Sequence, residues 1–296
     1  MSYGATLRSR LESDDILVAP GVHDPLSARI AQQVGFDLIS MTGNGTSLSK
    51  IGHPDVGVMT LSEMVDNATY IQETVDVPLI SDADNGFGNA INVRRTVREF
   101  ARAGVAAIHI EDQSFPKRCG FVDGKQVIPK SEAIGKFRSA ADARDEHAPD
   151  MVLIARTDAR GAPGGTIEEA LDRVNAYCEA GADVAFVQGP TDVAELERVG
   201  EAVDAPLLYN CSGGSPVVPI ERAAEMGYDI VMFPRMSTLP TIEVLFERYG
   251  SLHNDGMEAW TDTKNAFEAT PVESYDHFAG VPEVLEWEDE FLPDRS

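Results

Sequence analysis

AGVAAIHIED (103–112) is the stretch whose reading decides the fold: a helix end, a glycine stop, a short turn, then an apolar run that finishes on two carboxylates. AGADVAFVQG (180–189) and MGYDIVMFP (226–234) repeat the same local solution. Outward from these, short apolar runs recur as ILVAP (16–20), LISM (38–41), PLISDAD (78–84), AIHIED (107–112), VLIARTD (152–158), VAFVQ (184–188), PLLYN (206–210) and IVMFP (230–234), eight in all. Continuous apolar runs are the mark of parallel strands buried on both faces, and parallel strands need crossover helices. Helical patterns fill the gaps at 25–34, 61–74, 90–103, 131–145, 166–180, 192–202 and 219–226. Eight strand–helix units predict a closed α/β barrel, a (β/α)8 TIM barrel, rather than an open doubly wound sheet. Further helices at 241–249, 254–268 and 282–290 exceed what the barrel needs. The expectation is one barrel domain over 1–296, with 238–296 as a C-terminal helical extension that caps the barrel or packs on a partner subunit.

Composition bounds the setting. The chain has 296 residues, 43% of them hydrophobic, enough for a full core. It carries 24 Lys and Arg against 49 Asp and Glu, a net charge of −25, which repels nucleic acid and anionic membranes. No apolar run reaches the ~18 residues of a membrane span, and MSYGATLRSRLESDD has no apolar core of a signal peptide. The expected location is cytoplasmic. Cys119, Cys178 and Cys211 are odd in number and form no CxxC pair, so neither a disulfide framework nor structural zinc is expected. Cys178 reads as a small core residue. Cys119 lies beside Lys117, Arg118 and Gly120, cations that favour its thiolate and attract an anion.

In a barrel the chemistry gathers at the C-terminal ends of the strands. Here those ends carry Asp82 and Asp84, Glu111 and Asp112, Arg156 and Asp158, Gln188, and Asn210. SDADNGFG (81–88) places two carboxylates one residue apart before a glycine-rich turn, a donor set that suits a hard divalent cation, with Glu111 adding charge nearby. The same pattern also serves as turn and cap chemistry. EDQSFPKRCGFVDGK (111–125) is too long for a tight turn and reads as a lid. TGNG (42–45) reads as a glycine-rich turn offering N–H groups to a carboxylate. Arg156 is equally a bidentate carboxylate clamp and a structural partner of Asp158 or Glu111. Asn210 and Ser212 are candidate donors to a carboxylate, and His109 is expected to point into the barrel and hydrogen-bond to a neighbour. His23, His53 and His109 are too scattered for a histidine metal site.

The ordered set SDADNGFG, AAIHIEDQ, FPKRCG, LIARTDA and YN-x-S resembles the isocitrate lyase/phosphoenolpyruvate mutase superfamily, with KRCG pointing to its 2-methylisocitrate lyase branch. The resemblance runs from about Ala19 to Phe233. It implies a barrel whose last helix is swapped between subunits of a homodimer or homotetramer. It implies Mg2+, or Mn2+ in its place, held largely through water near Asp82 and Asp84, with Asp55 and Glu111 close by. It implies a retro-aldol cleavage of a small 2-hydroxy di- or tricarboxylate to a keto acid, pyruvate or glyoxylate, and a dicarboxylate. In that scheme Cys119 is the proton donor, assisted by Lys117 and Glu111, and Arg156 holds the keto-acid portion. Thr42, Gly43 and Asn44 cradle its carboxylate, and Gln188, Asn210 and Ser212 face the leaving dicarboxylate.

The sequence departs from that pattern at four places. Phe121 stands where the lyases carry His in KRCGH, Gln188 where they carry Glu, Ser40 and Thr42 near their usual Tyr, and Arg235 and Pro240 near their Arg after the eighth strand. Two further readings stay open: oxaloacetate decarboxylation at the same site, and a non-catalytic paralogue that binds carboxylates.

A surface this acidic repels itself at low ionic strength and is relieved by screening, as in a halophile's cytoplasm. The thermal unfolding midpoint is expected to climb steeply as KCl is raised from about 0.1 M toward 2 M; equal stability in the absence of salt overturns the halophilic reading.

Overall fold

The computed structural model describes residues 1–13, 15–120, 122 and 124–293. They form two compact units, residues 1–238 and 239–296. The first holds the barrel. Its strands are β1 (Leu17–Val22), β2 (Ile39–Met41), β3 (Leu79–Asp82), β4 (Ala107–Glu111), β5 (Val152–Thr157), β6 (Val184–Val187), β7 (Leu208–Asn210) and β8 (Ile230–Phe233). Its helices are α1 (Tyr3–Leu11), α2 (Pro25–Val34), α3 (Gly43–Ile51), α4 (Leu61–Thr74), α5 (Ala90–Arg102), α6 (Lys130–His147), α7 (Ile167–Glu179), α8 (Val193–Ala202) and α9 (Ile220–Glu225). The second unit is helical: α10 (Thr238–Asp255), which begins at the last residue of the first unit, then α11 (Met257–Glu268), α12 (Tyr275–Ala279) and α13 (Val281–Phe291).

All eight expected strands are present and every ladder is parallel, in the order β6-β5-β4-β3-β2-β1-β8-β7. The ends of this sheet meet at an isolated parallel bridge, Ala185 with Leu207, where the Ala185 N–H donates to Pro206 O at 2.8 Å. The barrel is thus closed at its weakest seam by little more than one bridge. Local caps fix the helix starts: Asp24 and Thr60 each form a reciprocal capping box, and α2 ends on Gly35 in the left-handed conformation. Two helices of the barrel unit have no counterpart in the sequence reading, α1 and α3. TGNG is not a free turn; Thr42 caps α3 and Gly43 opens it.

The period-2 alternation of strands sorts side chains into two layers. Leu17, Ala19, Ile80, Val152, Ile154, Val184, Phe186, Leu208, Ile230 and Met232 share one cluster, the lumen of the barrel. Their odd-step neighbours Leu79, Ile108, Leu153, Ala185, Tyr209 and Val231 pack outward against the helices. The lumen parity carried one step further reaches Asp82, Arg156, Gln188 and Asn210, and in β4 it runs from Ala107 through His109 to Glu111. The site is therefore the polar top layer of the same stack that fills the barrel below.

Asp112, one step out of phase, serves the helical layer instead. It accepts from Thr157 Oγ1 at 2.8 Å, the Asp158 N–H at 2.9 Å and Tyr177 Oη at 2.8 Å, with Arg173 at 3.4 Å. Tyr177 also stacks on Phe137 of α6 with centroids 4.6 Å apart. Tyr177→Phe keeps the stack and removes one donor from a buried carboxylate. It should cost about 1–3 kcal/mol in urea unfolding at fixed KCl; an unchanged midpoint overturns the assignment.

Candidate active site

One pocket at the C-terminal end of the barrel is lined by Thr42, Gly43, Asn44, Asp55, Asp82, His109, Cys119, Arg156, Gln188, Asn210 and Ser212, with Met232, Pro234 and Arg235 on the β8 side. Of the strand-end residues singled out in the sequence, Asp82, Arg156, Gln188 and Asn210 meet in this lining, whereas Asp112 and Asp158 do not. Asp84, Glu111 and Lys117 sit just behind this lining and join it through ion pairs.

The 81–88 turn is held by backbone as well as charge. The Glu111 N–H donates to Asp84 O at 2.9 Å and the Ala83 N–H to His109 O at 3.0 Å. Asp84 adopts φ +47°, a left-handed conformation that Asp tolerates better than most residues. Lys136 of α6, buried, donates its ammonium to Asn85 O. Asp82 Oδ1 accepts the Asp84 N–H at 2.9 Å and Asp82 Oδ2 accepts the Gly43 N–H at 3.0 Å. The α3 N-terminus is therefore turned on Asp82, and the Gly43 N–H expected to face a ligand is spent inside the protein.

Charge at this rim is crowded. Burial alone raises Asp82, but His109, Lys117, Arg156 and the Asp84 N–H lower it more, to about 2. Burial itself pushes His109 below its ordinary value, so at neutral pH the fixed cations and the N–H do that work. Asp84 goes the other way: burial lifts it and, although Lys117 pulls it down, Asp82 and Asp55 hold it at about 7. Burial also raises Glu111 well above the carboxylate range against the pull of Arg156. Lys117 bridges Asp55 and Asp84, at 2.6 Å from the latter, and despite burial these carboxylates keep it protonated. Its ammonium thus answers Asp55 and Asp84 rather than the Cys119 thiol beside it in sequence.

Arg156 makes the structural ion pairs of the second of its two readings. Its Nε donates to Asp158 Oδ2 at 2.8 Å and its Nη2 lies 3.2 Å from Glu111 Oε2, while the guanidinium stands 5.2 Å above the Phe186 ring. It lines the pocket from this braced position. His109 differs from expectation: its Nδ1 is 3.6 Å from Asp82 Oδ1, beyond hydrogen-bond reach and without another partner, and its ring meets Phe186 edge-on at 5.8 Å. Ser40 gives its hydroxyl to Met232 Sδ at 2.9 Å, whereas Thr42, on the pocket wall, accepts the Gly45 N–H through Oγ1 and keeps its own O–H to donate. Asn210 donates to Gln188 Oε1 at 2.9 Å, leaving Gln188 Nε2 and Asn210 Oδ1 without protein partners. Phe121 lies outside the described residues.

The loop that bears Cys119 is pinned at its root. Gln113 grips Arg118 through two hydrogen bonds, 2.8 Å to its carbonyl and 2.9 Å from its N–H. Gln113 also pairs with Val127 in an antiparallel bridge, and the Cys119 N–H donates to Asp55 O at 2.9 Å. Gln113, Lys125, Lys136 and the Asp112 network escaped sequence reading. The one available signal was composition: of six lysines in the chain, Lys117, Lys125 and Lys136 are buried at this rim.

A divalent cation fits the donor set in a particular way. Among the described residues no three His, Cys, Asp or Glu side chains form a ready-made cage. Glu111 Oε1 is nevertheless buried with no hydrogen bond, while Asp84 Oδ1 lies 2.6 Å from the Lys117 ammonium. Few carboxylates and an unspent acceptor oxygen suit an ion that keeps much of its water, as Mg2+ does.

Residues 7–245 match the family described as phosphoenolpyruvate phosphomutase. The 2,3-dimethylmalate lyase of Eubacterium barkeri is 39% identical over all of both chains. The 2-methylisocitrate lyase of Aeropyrum pernix is 44% identical over 78% of this chain and 73% of its own. The solved structure of an oxaloacetate acetylhydrolase with the inhibitor 3,3-difluorooxalacetate superposes with TM-score 0.90 at 35% identity, covering 100% of this chain and 99% of that one. Fold, site and kinship define a barrel enzyme of the carbon–carbon lyase class. The chain belongs to the phosphoenolpyruvate mutase/isocitrate lyase superfamily.

Asp84→Asn removes a charge that burial and two neighbouring carboxylates disfavour. Because the folded-state pKa of about 7 exceeds the ordinary value of 3.8, Asp84 stabilises the fold less as pH rises between those values. With divalent ions chelated, the variant should therefore melt above the wild type, by a margin that widens from about pH 4 to pH 7 and then levels. A wild type that melts higher at pH 8 contradicts this.

Proposed function

We propose that the protein is a Mg2+-dependent lyase that cleaves a small 2-hydroxy di- or tricarboxylate, of the 2-methylisocitrate or 2,3-dimethylmalate kind, into a keto acid and a second carboxylate. The observation that carries this reading is the single pocket shared by Arg156, Asp82, Cys119 and the Gln188–Asn210 pair, backed by the bare buried Oε1 of Glu111. Similarity to the two lyases supports it.

Arg156, kept charged by Asp158 and Glu111, holds the carboxylate of the keto-acid portion. Asp82, Asp84, Asp55 and Glu111 would hold the cation, largely through water. When bound, the cation neutralises negative charge that grows on the keto-acid oxygen. The 2-hydroxyl loses its proton as the bond between C2 and C3 breaks, and the electron pair leaves with C3. Glu111, whose buried Oε1 has no hydrogen-bond partner, is the acceptor we assign to the hydroxyl proton, in the ionised form that Arg156 and a bound cation would favour against burial. Cys119 protonates the departing carbon. Lys117, permanently charged, balances Asp55 and Asp84 rather than moving a proton. The free Gln188 Nε2 is a donor where the lyases carry an acid, and with Asn210 and Ser212 it suits the distal carboxylate.

A homo-oligomer is part of the proposal, supported by exposed Phe246, Trp260, Leu285 and Trp287 on the C-terminal helices, and light scattering in high KCl sizes it. So is a cytoplasmic location, in keeping with the absence of a helix long and apolar enough to cross a membrane among the described residues. Oxaloacetate is the second substrate reading, favoured by the superposition on oxaloacetate acetylhydrolase.

Keto-acid release or consumption with Mg2+ in high KCl is measured on 2-methylisocitrate, isocitrate, 2,3-dimethylmalate and oxaloacetate. Turnover of one or more 2-hydroxy acids is expected, and Cys119→Ser should cut it by at least about a hundredfold while sparing oxaloacetate decarboxylation. Equal loss of both contradicts the proton-donor role. Silence on all four, with Mg2+ and oxalate still bound, overturns the enzymatic reading in favour of a binding paralogue.

A further inference from the structure

We propose that Lys125 is a positioning residue: its ammonium latches the Cys119 loop onto the barrel by joining the Gly120 carbonyl to the Asp158 carboxylate. Lys125 is only 4% exposed, on a chain with few lysines and a strongly acidic exterior. A long ammonium is buried only when its donors are taken. Here Nζ donates to Gly120 O and lies 3.2 Å from Asp158 Oδ1. Asp158 is fully buried at the end of β5 and fixed by its own backbone N–H to Asp112 Oδ1 at 2.9 Å, so it does not move with the loop. The latch thus has one end on the loop, next to Cys119, and one end on the rigid barrel.

Two glycines make room for it. A Cβ on Gly120 would stand 2.6 Å from Arg156 Nη2 and 2.9 Å from Gln188, so the loop backbone lies directly on the two side chains proposed to hold substrate. A Cβ on Gly161 would stand 2.5 Å from Lys125 Nζ and 2.9 Å from its Cε, so an alanine there would push the ammonium from its present place. Lys117 ties the other flank of the loop to Asp55 and Asp84. Cys119 is therefore suspended between two buried lysines, and Lys125 is the one that bears on the Arg156 side.

The inference rests on the proposed reaction only for its effect on turnover; the state of the loop is read without substrate. Lys125→Met and Gly161→Ala are compared with wild type in high KCl. Iodoacetamide labelling of Cys119 is followed by peptide mass spectrometry, with Cys178 as internal reference. Both variants should label Cys119 at least about tenfold faster with Cys178 unchanged. Where lyase turnover is present, kcat should fall about ten- to a hundredfold while KM moves less than about threefold. Labelling of Cys119 at the wild-type rate in both variants overturns the latch, and if Lys125→Met does not fold, Gly161→Ala decides alone. Faster labelling with unchanged kcat supports the latch and counts instead against Cys119 as the proton donor.

Discussion

Everything at the top of this barrel depends on balancing buried charge. Among the described residues, six buried carboxylates (Asp55, Asp82, Asp84, Glu111, Asp112 and Asp158) meet five buried cations (Lys117, Lys125, Lys136, Arg156 and Arg173) at this rim and in the helices behind it. Taking so many ions out of water is costly unless each is paired and hydrogen-bonded. Asp112 and Asp158 satisfy that condition fully, through three or more donors each. Asp84 and Glu111 do not, and both are driven toward protonation by burial. The deficit is local: it falls on the two carboxylates that stand where one more positive charge would complete the set.

That distribution separates scaffold from chemistry. The Asp112–Tyr177–Arg173 cluster locks β4 and β5 to α7 and is saturated, so it holds geometry and offers nothing to a ligand. The Arg156–Asp158 pair is half of each: braced from below, presented to the pocket above. The layer around Asp82, Asp84 and Glu111 is under-satisfied, which is the usual signature of a place that functions at some expense of stability.

Much of this was legible in the sequence because it is periodic. The eight apolar runs fall on the eight strands, and in four of them a polar residue two steps past a lumen side chain keeps the lumen parity, so Asp82, Arg156, Gln188 and Asn210 had to converge once the barrel closed. What the sequence did not show is what depends on long-range pairing. Gly43 looked free as part of a glycine-rich turn, but the carboxylate that takes its N–H is thirty-nine residues away. Lys117 looked like a partner of Cys119 because they are neighbours, but Asp55 and Asp84 claim it. His109 was expected to point into the barrel and hydrogen-bond; it does enter the lumen, but its Nδ1 stands 3.6 Å from Asp82 Oδ1, beyond hydrogen-bond reach. Spacing along a chain reports which face a residue occupies; it does not report which of several like-charged neighbours wins.

The same reasoning explains why the lysines were the overlooked clue. A chain that carries twice as many acids as bases holds only six lysines, and four of them fall between 117 and 136. On an acidic exterior an ammonium gains little, since exposed pairs are screened and weak. Inside the rim it gains a great deal, because each buried carboxylate raises the cost of leaving it out. Asp158 makes the coupling concrete, since one carboxylate serves Arg156 below the pocket and Lys125 under the loop. On the proposed function, a substrate carboxylate drawn to Arg156 brings a further negative charge to the neighbourhood of that ammonium. The side chain proposed to hold substrate and the lysine proposed to hold the loop are thus tied to one carboxylate, itself fixed to the barrel through its backbone N–H.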